Sequence, residues 1–204
     1  SSSSSSSGRT GDGLLSEKLV RELIAFDLER FGADRVARPD FALASSGARV
    51  LRERTSPGYL PPGTSWLARM LTSPAPAEVM LHPSLQVGHC WAFAGGSGHA
   101  TVELVRPINI TAISIDHVSK FVSPVENLSA PREFRVWGLD TPSATLETDG
   151  AVLLGEFTYD AHRAQAVQTF SVPAAGRAFP YVHLEVLSNH GAEYTCIYRF
   201  RVHQ

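Results

Sequence analysis

The sequence predicts a mainly β fold: an antiparallel β-sandwich with a short N-terminal helical extension. Three observations carry this expectation. From Val79 onward, short β-favouring runs alternate with turn residues. Pro107, Pro124, Pro131, Pro142, Pro173 and Pro180 fall between those runs, where a missing amide donor costs no ladder hydrogen bond. Clear helical periodicity is confined to one stretch near the N-terminus. With 204 residues and 43% apolar content the chain can bury one substantial core, so a single domain is expected after the first fifth.

Residues 1–13 are rich in Ser and Gly, offer almost nothing to bury, and read as a disordered linker. Residues 14–38 read as a helical segment. Ser16 can cap it and Glu17 suits its positive end. Leu19, Val20, Leu23, Ile24, Leu28 and Phe31 recur at helical spacing, and Gly32 offers a stop. Leu19, Leu23 and Phe26 against Val20, Ile24 and Leu28 make a face broader than a two-position heptad stripe. It can pack on its own domain or form a seam between copies.

Residues 39–204 are the sandwich domain. After Pro39, residues 40–50 give a short helical turn and then a strand. The stretch from Pro57 to Pro76 reads as an exposed, semi-irregular flap, because prolines surround the apolar pairs Trp66-Leu67 and Met70-Leu71. A strand-like run begins at Cys90-Trp91. Seven strands follow, at 100–104, 109–118, 133–139, 151–158, 165–172, 181–187 and 194–202, a count that suits an antiparallel sandwich. Gly95-Gly96-Ser97-Gly98-His99 reads as a hairpin turn; it lacks the glycine offset of a nucleophile elbow, and no helix follows.

A formal charge of −2 gives no basic footprint for nucleic acid. No apolar run approaches the roughly 18 residues that span a bilayer. No two of the eight histidines have ligand spacing with a carboxylate or cysteine on one element, so surface or half-buried histidines are expected. Asp116, Glu126, Glu133, Asp140, Glu156 and Asp160 stand singly at strand ends, most of them expected solvated, with no glycosidase-like pair. No nucleophile, acid–base pair or metal cluster can be assembled, so no enzyme is expected. Cys90 and Cys196 read either as free buried thiols or as a bridge between sheets. Tyr194 and Tyr198, four apart in the last run, share one face with Cys196 between them, as a core column or as part of a site.

Four motifs in consistent order point to a family. They are Gly88-His89-Cys90-Trp91-Ala92-Phe93, Ser129-Ala130-Pro131-Arg132-Glu133-Phe134, Leu154-Gly155-Glu156-Phe157-Thr158-Tyr159-Asp160, and the closing run from Asn189 to His203. Together they resemble the SUN domain over roughly residues 33–203. That resemblance implies a non-catalytic tether of the LINC complex, which couples nucleus to cytoskeleton by gripping the C-terminal tail of a KASH-type partner in the perinuclear space. It implies an inner-nuclear-membrane protein anchored upstream of this piece, and a homotrimer whose helical segment ends a coiled coil, or folds back to hold a monomer.

The resemblance also assigns roles. His117, Ser129, Tyr194 and Tyr198 match the pocket for the peptide's free carboxylate. A compact anion of this kind needs convergent donors and a partly dry wall. The flap, with Tyr59, Leu60, Trp66, Leu67, Met70 and Leu71, matches a lid that pairs with the peptide as an added strand. Cys90 and Cys196 match an internal disulfide. The loop from Val79 to Cys90 matches one that holds a monovalent cation, K⁺ or Na⁺, by main-chain carbonyls; Val79, His82, Ser84, His89 and Tyr198 occupy those positions. No other cofactor is implied. Thr55 stands where many members carry the cysteine that crosslinks to the peptide. Asn109-Ile110-Thr111 and Asn127-Leu128-Ser129 are acceptor sequons for a luminal glycan. The competing reading is a carbohydrate-binding sandwich, with Trp66 or Trp137 stacking on a sugar ring.

Overall fold

The computed structural model describes residues 16–32, 35–71, 73–84, 86–123, 127–146, 150–173 and 175–204. The stretch 1–13, Leu85, Pro124, Glu126 and the side chains of Phe31 and Met70 lie outside the described residues. The chain divides into two units, Ser1–Ala37 and Arg38–Gln204.

In the first unit, helix α1 spans Glu17–Gly32. Ser16 caps it, its hydroxyl accepting the Leu19 N–H at 3.2 Å, and Arg21 pairs with Glu17 one turn back at 2.6 Å. Leu19, Val20, Leu23, Ile24, Phe26 and Leu28 are exposed in the single chain, Leu23 by 49% and Ile24 by 53%.

Among the described residues the second unit contains ten strands: β1 (Arg49–Leu51), β2 (Trp91–Ala94), β3 (Gly98–Ile108), β4 (Ala112–Asp116), β5 (Glu133–Leu139), β6 (Ala151–Thr158), β7 (Val167–Ser171), β8 (Phe179–Val186), β9 (Tyr194–Ile197) and β10 (Arg199–His203). All pair antiparallel, in sheets of order β1-β3-β8-β5-β6, β10-β4-β7 and β2-β9. Val102, Val136 and Leu184 from the first sheet join Ile113, Ile115 and Phe200 from the second in one core, with Trp91, Phe93 and Ile197 from the third. Each contributes alternate residues to that interior, as the pleat requires.

Three sequence-based expectations change. The last run is two strands: β9 pairs with β2 and β10 with β4, and the chain passes between sheets at Tyr198. Residues 95–97 do not close a hairpin, because β2 and β3 belong to different sheets. Gly95, at φ +72°, turns the chain across, and a Cβ on Gly98 would meet the Phe93 ring at 2.5 Å. Pro107 and Pro180 lie inside β3 and β8. Both fall in one irregularity, where the β3–β8 register jumps from Glu103↔Tyr181 to Ile108↔Phe179. No ladder bond is needed there, which explains why prolines are tolerated.

The second sheet is covered on both faces. Away from the apolar core, Asp116, Ser114, Arg199, Arg201 and His203 form a buried polar layer. Arg201 Nη2 donates to Asp116 Oδ2 at 2.5 Å, and Ser114 Oγ lies 2.9 Å from His203 Nε2. Asp116 is therefore wholly buried, an exception to the solvated position expected for most of the six carboxylates. His117, His183 and His203 are buried as well, where surface or half-buried histidines were expected. Asp116, His183 and His203 are accommodated there because a partner meets each polar group.

Candidate functional site

Where β9 gives way to β10, Tyr198 is turned inward and packs with Cys90, Val118 and Cys196 in a small cluster separate from the main core. The cysteines form a disulfide with Cα atoms 5.7 Å apart, and no free cysteine is present. The bridge ties the loop before β2 to β9. Gly88, at φ +84°, completes that tie by donating its N–H to the Tyr198 hydroxyl at 3.1 Å.

His117 follows β4 and is 3% exposed. Its backbone N–H donates to Ala166 O at 3.0 Å, and its ring meets Tyr198 edge-on, centroids 4.9 Å apart. Both ring nitrogens are buried without a hydrogen-bond partner among the described residues. Burial pushes the imidazole down to about 4, the neighbouring Val118 backbone opposes the fall without meeting hydrogen-bond geometry, and His190 adds to it, so the ring is neutral at pH 7. A buried, unpaired polar group of this kind is costly, and an incoming acceptor or donor would relieve it.

Ser129 is half-buried, and its carbonyl accepts the Cys196 N–H at 2.8 Å, placing it beside the disulfide. Tyr194 is 37% exposed and stacks on Tyr59. His117 and Tyr198 are thus in direct contact and Ser129 is bonded to the neighbouring β9, while Tyr194 faces the flap. The break at Tyr198 leaves Tyr194 and Cys196 on one face of β9.

The flap begins with the Tyr59 N–H donating to Ala92 O at 2.8 Å, then turns helical over α2 (Trp66–Leu71). Positions 66–71 of the flap are helical. Leu, Ala, Arg and Met dominate this stretch, all strong helix formers, and no β-branched residue opposes them. Trp66, Leu67 and Leu71 are exposed, and Leu60 is half-buried. A cleft of about 590 Å³ lies at the flap's root, lined by Pro57, Tyr59, Leu60, Pro62, Phe93 and Ala94 among others. Thr55, just before it, donates its hydroxyl to Leu51 O at 2.8 Å and accepts the Thr101 N–H.

In the loop from Val79 to Cys90, Val79 is buried, Ser84 half-buried, and His82 and His89 exposed. Among the described residues no three His, Cys, Asp or Glu converge to hold a metal. Of the sequons, Asn109 is half-buried and its Oδ1 has no partner among the described residues; Asn127 turns its amide inward, Nδ2 donating to Val118 O at 2.8 Å. The two tryptophans of the sugar reading lie on separate elements, Trp66 on α2 and Trp137 half-buried on β5, its indole N–H donating to Glu185.

The charged clasp between Asp40 and Arg199, and the pair Asp116–Arg201, were not found from sequence. A signal existed: in Arg199-Phe200-Arg201-Val202-His203, charges alternate with apolar residues, which gives a β-strand one wholly polar face.

Comparison with solved structures shows the sandwich fold. The family 32 carbohydrate-binding module of Streptococcus pneumoniae EndoD superposes with a TM-score of 0.56 at 17% identity, covering 81% of this chain and 99% of that one. Allantoicase of Saccharomyces cerevisiae gives 0.53 at 16% identity, covering 80% and 42%. At such identities the likeness is one of fold alone. Sequence relatives are closer. SUN domain-containing protein 2 of Mus musculus is 39% identical over 197 residues, which is 93% of this chain and 26% of that protein. SUN domain-containing protein 3 of Mus musculus is 37% identical over 190 residues, 90% and 58% respectively. The chain thus spans about a quarter to three-fifths of the length of these relatives. The Sad1 / UNC-like C-terminal family matches residues 71–204, and the chain belongs to that family, as a SUN domain.

Proposed function

We propose that this domain is a non-catalytic tether that captures the free C-terminal carboxylate of a KASH-type peptide beside His117, Ser129, Tyr194 and Tyr198. The observation that carries this reading is His117, buried against Tyr198 with both ring nitrogens unpaired. A terminal carboxylate supplies the missing acceptor, and nearby hydroxyls of Ser129 and the tyrosines add donors without a fixed charge. Upstream residues of the peptide lie along the flap, where the cleft beside Tyr59 accepts apolar side chains and α2 yields to a strand pairing.

In this reading the whole protein is anchored in the inner nuclear membrane by a segment upstream, and the domain faces the perinuclear space. The exposed apolar face of α1 fits assembly into a homotrimer, whose three sites multiply effective concentration. The loop from Val79 to Cys90 contains no Asp or Glu, so main-chain carbonyls are the donors it would turn to a cation, a set that suits K⁺ or Na⁺ better than a divalent ion.

Competition between a labelled free-acid KASH-type peptide and the same peptide lengthened by one residue tests the pocket. The lengthened peptide should compete poorly, because its extra residue must enter a closed wall. Equal competition rejects the site.

A further inference from the structure

The start of the second unit is sewn to the last strand of the chain. Asp40 Oδ2 accepts a bond from Arg199 Nη2 at 2.5 Å, while its Oδ1 accepts the backbone N–H groups of Ala42 at 2.9 Å and Val202 at 3.2 Å. Phe41 N–H donates to Val202 O at 2.8 Å. His203 Nδ1 donates to Pro39 O at 2.8 Å, since a carbonyl can only accept, which leaves Nε2 to accept from Ser114. Arg199 and Asp40 are both buried. Such a pair adds little net stability over an apolar one, but losing one partner is severe and its geometry holds the register.

Position gives the clasp its meaning. Arg199 directly follows Tyr198, and Tyr198 follows β9, which carries Tyr194 and the bridged Cys196. The upstream chain therefore enters at residues 38–40, and the proposed peptide site ends one residue before Arg199. These points are 159 residues apart in sequence for the bonded pair, yet one salt bridge apart in space.

We propose that Asp40 and Arg199 form a tension joint, through which a pull on the upstream chain reaches the peptide site along β10, in parallel with the single bond by which Phe41 O accepts the Val105 N–H of β3 at 3.0 Å. The proposal rests on the tether reading. Tension at residue 39 meets the bonds of Pro39, Asp40 and Phe41 to β10 as a group, and β10 delivers it to Tyr198 and to the disulfide. With the joint broken, the load falls on the two backbone bonds of Phe41, to Val202 O and from Val105 N–H, and once these part the pull peels residues 40–48 away until it reaches β1.

The test is single-molecule pulling on the full chain, held by its N-terminus and by a bound free-acid KASH-type peptide. In the parent protein the peptide should leave while the domain stays folded. In Asp40→Asn an added lengthening of about 30 Å, that of nine extended residues, should precede release, with unloaded peptide affinity unchanged. If urea unfolding shows that Asp40→Asn does not fold, Asp40→Glu, which displaces the carboxylate by one methylene, should give the same step. Failure of the parent protein to hold the peptide overturns the tether reading instead. The joint is then tested by pulling between the N-terminus and Gln204, where the variant should give way at lower force. Traces indistinguishable from the parent in either arrangement overturn the joint.

Discussion

Tyr59 and Tyr194 are stacked, ring centroids 5.0 Å apart and planes 16° from parallel. One belongs to the flap's root and the other to β9, so the stack fastens the flap to the strand that carries the proposed site. Beside it stands one backbone bond, Tyr59 N–H to Ala92 O. The flap is thus held at its root, while Trp66 and Leu71 on α2 stay exposed.

Replacing Tyr59 with Ala should loosen that root. An aromatic pair adds roughly 0.5–1.5 kcal/mol beyond its buried area, so Tyr59→Ala should cost about 1 kcal/mol in urea unfolding. Amide exchange at residues 58–60 should quicken, whereas Tyr59→Phe should behave like the parent. Unchanged exchange in Tyr59→Ala would mean that the stack does not fasten the flap.

Acid should destabilise the fold through His183. Burial pushes this imidazole down to about 4, with His99 and Arg54 adding to the fall. Its Nδ1 is held 2.8 Å from Thr101 Oγ1. The unfolded chain takes up the proton near 6.5 and the folded one near 4, so stability falls as pH drops through that window. The full loss is on the order of 3 kcal/mol. Urea midpoints between pH 7 and 4 should fall less steeply in His183→Gln than in the parent. Parallel slopes would show that His183 titrates normally.

The disulfide should matter more than any single side chain. Cys90 and Cys196 are 106 residues apart in sequence, and in the chain-entropy model a bridge of that span contributes roughly 4–5 kcal/mol. Reduction should lower the urea midpoint accordingly and free the loop that Gly88 ties to Tyr198. A midpoint unmoved by reductant would contradict the bridge's structural role.

Much of this was legible beforehand, and the rest has physical reasons for being hidden. Ser16 and the spacing of Leu19, Leu23 and Ile24 announce α1, and alternation places β5 and β6 at their observed bounds. The passage of the last run from one sheet to another at Tyr198 leaves no mark, since side chains alternate the same way on either side. The pairing of Asp40 with Arg199 depends on contacts across nearly the whole chain, which local pattern does not encode. Residues alone left both cysteines open between thiol and bridge, and only the family resemblance joined them. The same resemblance named His117, but its burial and unpaired nitrogens became visible only when β4 was placed against Tyr198.

The exposed face of α1 should act between copies. Aspartate at both Leu23 and Ile24 would force charges out of water without partners, so mass in solution should shift toward monomer. An assembly unchanged by both substitutions would reject the helix as its principal contact.

The central claim is carboxylate capture beside His117. Calorimetric titration of one KASH-type peptide as free acid and as C-terminal amide measures it most directly. A hydrogen bond to a charged group is worth roughly 1.5–3 kcal/mol, so the amide should bind at least tenfold more weakly. Equal affinity for the two peptides would contradict the account.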